Sequence, residues 1–125
     1  MAQMGKTLYE RLGGYDVIAS FMKDYISRIR ADPQFARFGT GRGTDKKDRD
    51  TQLNIDYMCR ITGGTNYYMG RDMKTAHGGL GITEAEWGAN MKYMTEALDN
   101  HNIPAKEKVE VLALMDHLKP DIVEK

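Results

Sequence analysis

Apolar side chains recur at Val17, Ile18, Phe21, Met22, Tyr25, Ile26 and Ile29, the spacing of one buried helix face, and no stretch of the chain alternates apolar with polar residues as a half-buried strand does. An all-helical (all-α) domain is therefore expected, and the segments on either side carry the punctuation of helix ends. A short helix is predicted over Thr7 to Leu12, capped by Thr7 and closed by Gly13-Gly14. Asp32-Pro33 joins a capping side chain to a proline at the first helical position and opens a short piece to about Phe38. Beyond the glycines of 39–44 a helix is expected from about Asp45 to Thr62, ended by Gly63-Gly64. Thr83-Glu84-Ala85-Glu86 is a capping box ahead of a stripe of Trp87, Met91, Met94 and Leu98. Asn100 to Pro104 makes a turn, and a last helix carries Val109, Leu112, Met115 and Leu118 before Pro120. Residues 65–82 lack regular spacing and have room for at most one helical turn, capped by Asp72.

With 125 residues the chain suffices for one compact domain, read as 1–125 with a flexible segment of about residues 1–6. Its 18 basic and 18 acidic side chains cancel without forming a long block of one sign, which argues against nucleic acid or an anionic membrane as partner. No apolar run approaches the roughly 20 residues of a membrane span, and the first residues lack a signal-peptide core, so a cytoplasmic location is expected. Cys59 is the only cysteine, which rules out an internal disulfide and a cysteine-cluster metal site. The glycines of 39–44 follow no strand and make only a weak case for phosphate binding.

Chemistry falls to three histidines. His101 lies in a polar turn and reads as solvated, and His117 sits between Asp116 and Leu118 and reads as a surface residue. His77 stands four residues after Met73, so the two share a face of one helical turn, and Gly78-Gly79 lets the backbone turn away at once. Taken alone it is an ordinary loop histidine. Its setting, an irregular segment between amphipathic helices, also suits an axial ligand of haem iron: one imidazole nitrogen binds the metal while the other donates to a carbonyl.

The chain resembles the truncated haemoglobins, most of all their first group, from about Leu8 to Val123. The marks are Leu8-Tyr9-Glu10-Arg11-Leu12-Gly13-Gly14, then Ile61-Thr62-Gly63-Gly64, then Tyr68-Met69-Gly70-Arg71-Asp72-Met73-Lys74-Thr75-Ala76-His77, with Gly81-Ile82-Thr83 opening the next helix. The resemblance implies a two-over-two helical sandwich around one haem b, with the iron held by His77 and Met73 against the porphyrin. It further implies a distal side lined by Asp50, Leu53, Asn54, Tyr57 and Met58, and propionates met by Arg71 and Lys74, whose charges suit a carboxylate. Trp87, Met91 and Val109 belong either to the proximal wall or to the general core.

The distal residues depart from the family pattern. Where relatives carry a tyrosine, sometimes a histidine, that donates a hydrogen bond to bound gas, ungapped matching places Ile26; Tyr25 lies one residue earlier, about 100° round the helix. Asn54 stands for a glutamine. The phenylalanine that wedges against the haem is displaced, with Gly39 at its position and Phe38 just before it, and the loop that follows is about three residues longer than in close relatives. A donor to bound dioxygen is worth on the order of 1 to 2 kcal/mol, about tenfold in affinity. That donor is therefore to be sought in Asn54, Tyr25, Tyr57 or water, or is missing. Lys46, Lys47 or a tyrosinate are the candidates for an internal sixth ligand.

The function implied is the binding of diatomic gases (dioxygen, carbon monoxide, nitric oxide), with oxidation of nitric oxide by the dioxygen complex as the activity the family suggests. A reductase partner and a monomer or weak dimer are expected. The alternatives are a peroxidase-like enzyme, with Asp50 at the edge of an open distal pocket, and a haem-free helical interaction module.

Overall fold

The computed structural model describes residues 6–38, 44–64 and 81–124. Among the described residues five α-helices follow in this order: α1 (Leu8–Leu12), α2 (Tyr15–Ala31), α3 (Thr44–Ile61), α4 (Glu84–Asn100) and α5 (Ala105–Ile122), with a 3₁₀ segment (Pro33–Phe38) between α2 and α3. The described residues contain no strand. α2 packs against both α3 and α4, α4 packs against α5, and α1 lies across α2 and α5. The result is a two-over-two sandwich.

Local chemistry explains each boundary. The Thr7 hydroxyl accepts from the Glu10 N–H at 3.1 Å, which starts α1, and Gly13 ends it in the left-handed region at φ 110°. α2 runs two residues further at each end than its apolar stripe, with Asp16 in its first turn and Arg28 and Arg30 in its last, charges that complement the helix dipole. Asp32 accepts from the Gln34 N–H at 3.0 Å and from the Tyr93 hydroxyl, while Phe35 meets the Tyr93 ring edge-on at 6.5 Å, tying the 3₁₀ segment to α4. The capping box at α4 is complete: Thr83 Oγ1 accepts from Glu86 N–H at 3.1 Å, and Glu86 Oε1 accepts from Thr83 N–H at 3.0 Å.

The end of α3 and the start of α1 form one joint. The buried Thr62 hydroxyl donates to carbonyls of α3, Met58 O at 2.8 Å and Cys59 O at 3.0 Å, and Gly64 N–H returns to Cys59 O at 2.8 Å. Thr62 O accepts from Tyr9 N–H of α1 at 2.7 Å. The Tyr9 ring lies so close over Gly64 that a Cβ there would stand 2.7 Å from Tyr9 Cδ1 and 2.9 Å from Cys59 O.

The main apolar cluster joins all five helices, with Phe21, Ile18, Ile55, Met94, Leu98 and Val111 its largest fully buried side chains. A second cluster holds Ile82, Trp87 and Ile122, and Met91 packs against both. Two readings of the last helix are corrected. Val109 is 65% exposed, and the inward residues are Val111, Met115 and Ile122, because the packed stripe begins two residues later than expected. The helix also runs through Pro120 to Ile122. A proline inside a helix removes one hydrogen bond and crowds a carbonyl of the preceding turn, at a cost of about 3 kcal/mol, which is offset where Ile122 enters the second cluster, Glu124 N–H donates to Ile82 O at 2.8 Å, and Gly81 N–H donates to Glu124 Oε1 at 2.8 Å. Arg11 closes α1 onto α5 by bonding Glu107 at 3.0 Å and Glu110 at 2.5 and 2.7 Å.

Candidate functional site

The candidates whose side chains are described fall on α2, α3 and α4, and they differ in burial and partners. Met58 is buried in the main cluster, so it serves the core. Trp87 is buried in the second cluster with Ile82 and Ile122. Leu53 and Tyr57, one turn apart on α3, are partly buried and belong to neither cluster, while Ile55, Met58 and Cys59 fill the opposite side of the helix toward the core. α3 is thus apolar on two faces, one packed by protein and one only partly covered by the described residues. Asn54 is exposed, and its amide donates to Asp50 O, one turn back in α3, at 2.8 Å. Asp50 is partly buried.

On α2, Ile26 is buried at 8% exposure and lies outside both clusters, beside Tyr25. Tyr25 packs against the main cluster, and its hydroxyl donates across the sandwich to Asn90 Oδ1 on α4. The ring keeps some exposed surface, yet the phenol lies deep enough between the helices that burial holds its pKa well above the ordinary tyrosine value. Its one proton is committed to Asn90. Asn90 is a residue that periodicity alone passed over. Its signal was there: Trp87, Asn90, Met94 and Ala97 follow one another at three, four and three residues, so an amide interrupts an otherwise apolar inward stripe.

His101 corrects a further expectation. It ends α4 partly buried, with Nε2 3.3 Å from Asp24 Oδ2, and is not simply solvated; His117 is exposed. Cys59 is fully buried, and burial, helped by Asp56, pushes its thiol up to about 11, which keeps it protonated and unreactive. Arg71, Asp72, Met73, Lys74 and His77 lie outside the described residues, as do the side chain of Phe38 and the glycines 39–43. No helix among the described residues is long and apolar enough to cross a membrane.

Comparison with known proteins places this architecture. The family model described as bacterial-like globin matches residues 7–124. The chain is similar to the group 1 truncated hemoglobin GlbN of Mycolicibacterium paratuberculosis, with 28% identity over 116 residues, 93% of this chain and 83% of that protein. Among solved structures, the Fe(III) form of the truncated hemoglobin of Tetrahymena pyriformis superposes with a TM-score of 0.85 at 24% identity, covering 96% of this chain and 100% of the other. The 2/2 hemoglobin of Synechococcus sp. PCC 7002, described in its cyanomet state with covalently attached heme, gives 0.84 at 23% identity, covering 96% and 100%. Both likenesses concern the fold. With the family model spanning nearly every described residue and the two-over-two sandwich intact, the chain belongs to the bacterial-like globins as a truncated haemoglobin, a family whose members bind gases at haem.

Proposed function

We propose that the chain holds haem b and binds dioxygen, carbon monoxide and nitric oxide at its iron, with His77 as the proximal ligand. The observation that carries this reading is the second apolar face of α3. Leu53 and Tyr57 offer a partly buried apolar face, Ile26 lies on α2, which packs against α3, and the polar groups of Asp50 and Asn54 stand on the same side of α3 as Leu53 and Tyr57. A planar apolar macrocycle with a charged edge fits such a wall, since its faces need apolar contact and its edge does not. Arg71 and Lys74, in the same sequence segment as His77, are suited to pair with the propionates. Met73 and Trp87 complete the set from the proximal direction, and Phe38 from the end of the 3₁₀ segment.

Bound haem supplies an iron centre that takes a diatomic ligand and, with dioxygen bound, oxidises nitric oxide. Of the chain's own residues, Ile26, Leu53 and Tyr57 would exclude water from that centre, and His77 would hold the iron. Continued turnover of nitric oxide requires the iron to be re-reduced, so a reductase partner in the cytoplasm belongs to this reading. The test is the absorption spectrum of the purified protein. A Soret band in the wild type, lost in His77→Ala while the helical circular dichroism persists, is the expected result; an unchanged Soret band in His77→Ala removes His77 from the iron.

A further inference from the structure

We propose that the first half of α3, residues 44–54, is a door hinged at Ile55 and latched to α2 by Arg30 and Tyr15, and that haem enters and leaves the protein through it. The inference rests on the haem reading above and adds the route by which the group reaches its site.

The two halves of α3 differ in kind. Every residue from Asp45 to Asp50 is charged, and Leu53 is the only apolar residue from 44 to 54. Burial follows the same division. None of residues 46–54 is buried, a longer run than any other described helix contains, whereas Ile55, Met58 and Cys59 are buried in the main cluster. The second half is also joined to α1, through the bond from Tyr9 N–H to Thr62 O and the seat of Tyr9 over Gly64. A short helix standing alone in water is marginal, and burial of an apolar face is what ordinarily holds it. The half without a buried residue therefore opens at a lower free energy than the half seated in the core, and Ile55, the first buried residue, marks the boundary.

Two side chains of α2 reach the first half. Arg30 Nη2, from the last turn of α2, donates to Lys47 O at 2.9 Å, a carbonyl that already accepts from the Thr51 hydroxyl at 3.0 Å within its own helix. The hydroxyl of Tyr15, the first residue of α2, accepts from Gln52 Nε2 at 2.9 Å. These latches come from opposite ends of α2, and both are exposed, so water replaces either bond readily.

Leu53 gives the door its purpose. It is the apolar residue of the opening half, partly buried and on the side of α3 that the haem reading assigns to the macrocycle. A rigid planar group of that size does not pass between helices packed in one core, so part of the enclosure must swing aside. Opening the first half of α3 gives up exposed hydrogen bonds and the partial cover of Leu53 but no buried side chain. Opening the second half would break the main cluster.

Amide hydrogen exchange on the protein as purified reads the hinge. Protection of the amides of 48–54 is expected to be roughly tenfold or more below that of 59–62, whose bonds go to the buried half; equal protection along α3 overturns the hinge. Transfer of haem from the loaded protein to apomyoglobin, followed in the Soret region, reads the passage. Arg30→Met and Tyr15→Phe are each expected to speed transfer roughly threefold to tenfold. Arg11→Met, which removes the ion pairs between α1 and α5, is the control: it should lower the urea midpoint without speeding transfer, because haem leaves by local opening and not by global unfolding. Latch variants that release haem at the wild-type rate, or transfer rates that follow the urea midpoint across all three variants, overturn the door. A wild-type protein that takes up no haem defeats the haem reading and with it the passage of haem, while the exchange pattern along α3 decides the hinge on its own.

Discussion

Three glycines separate contact, backbone strain and intrinsic helix preference as causes of instability, and replacing each by alanine gives a graded prediction. At Gly64 an added Cβ meets two aromatic carbons of Tyr9 at 2.7 and 2.8 Å and the Cys59 carbonyl oxygen at 2.9 Å, against the roughly 3.5 Å at which such atoms rest. The carbonyl belongs to α3 and cannot swing away, so α1 must retreat, stretching the 2.7 Å bond from Tyr9 N–H to Thr62 O. Overpacking of this kind costs about 1 to 3 kcal/mol and a weakened hydrogen bond about 1 more, for a total of about 2 to 4 kcal/mol. At Gly14 nothing lies within 4 Å, but φ is 85° and ψ is −165°, a region nearly restricted to glycine, so about 1 to 3 kcal/mol is expected from the backbone alone. Gly88 is exposed in the interior of α4 with open space where its Cβ would stand, and alanine there should stabilise by about 0.5 to 1 kcal/mol. Urea unfolding followed by far-ultraviolet circular dichroism, on matched haem-loaded samples, reads all three. The expected order of stability is Gly88→Ala, wild type, Gly14→Ala, Gly64→Ala, with about 2.5 to 5 kcal/mol between the extremes. A Gly64→Ala protein as stable as wild type refutes the claim that the close seat of Tyr9 governs the joint between α1 and α3.

Leu98 is fully buried in the main cluster whereas Val109 is 65% exposed, so Leu98→Ala should cost about 2 to 5 kcal/mol and Val109→Ala less than about 0.5 kcal/mol in the same assay; comparable losses at the two sites refute the inward face assigned to α4 and α5. The carboxylate of Asp24 is held below its ordinary range chiefly by the hydrogen bond from Arg28, Glu110 chiefly by that from Arg11, and Asp32 chiefly by that from Tyr93. Groups depressed in the folded state contribute stability above their ordinary pKa and lose it as pH falls through their folded values, so the urea midpoint should be flat near neutrality and drop on acidification below the ordinary carboxylate range. Arg11→Met should remove the Glu110 share of that drop, and a midpoint that rises on acidification contradicts the sign.

Much of this was legible from local chemistry. Thr7, Asp32-Pro33 and the Thr83 to Glu86 box mark helix starts because a cap needs only its own turn, and each works as expected. The face of α5 was less legible. Val109 and Val111 are both apolar, two residues apart and on different sides of the helix, and only the packing of α5 against α4 and α1 selects Val111. Pro120 is a stop signal overruled from a distance, through Ile122 and the bonds of Glu124. His101 and Asp24, and likewise Tyr25 and Asn90, meet across more than sixty residues of sequence, and no spacing rule reports such pairs. At the candidate site, Met58 shares an apolar stretch of α3 with Leu53 and Tyr57, and only the packing of α3 against the core separates it from them.

The stretch from 65 to 80, which carries His77, begins and ends on anchors supplied by opposite ends of the chain. Upstream, Thr62 and Gly64 are seated by Tyr9; downstream, Gly81 and Ile82 are bound by Glu124, 43 residues on from Gly81. Each anchor closes a long loop, and long loops close late because their entropy is lost before their contacts are gained. The two ends of the histidine segment therefore reach their final separation only near the end of folding, after α2, α3 and α4 have condensed. A chain shortened at either end should still collapse into helices quickly but fix the separation of these anchors slowly, so that, under the function proposed above, the rate at which haem is captured becomes a clock for the last step of folding.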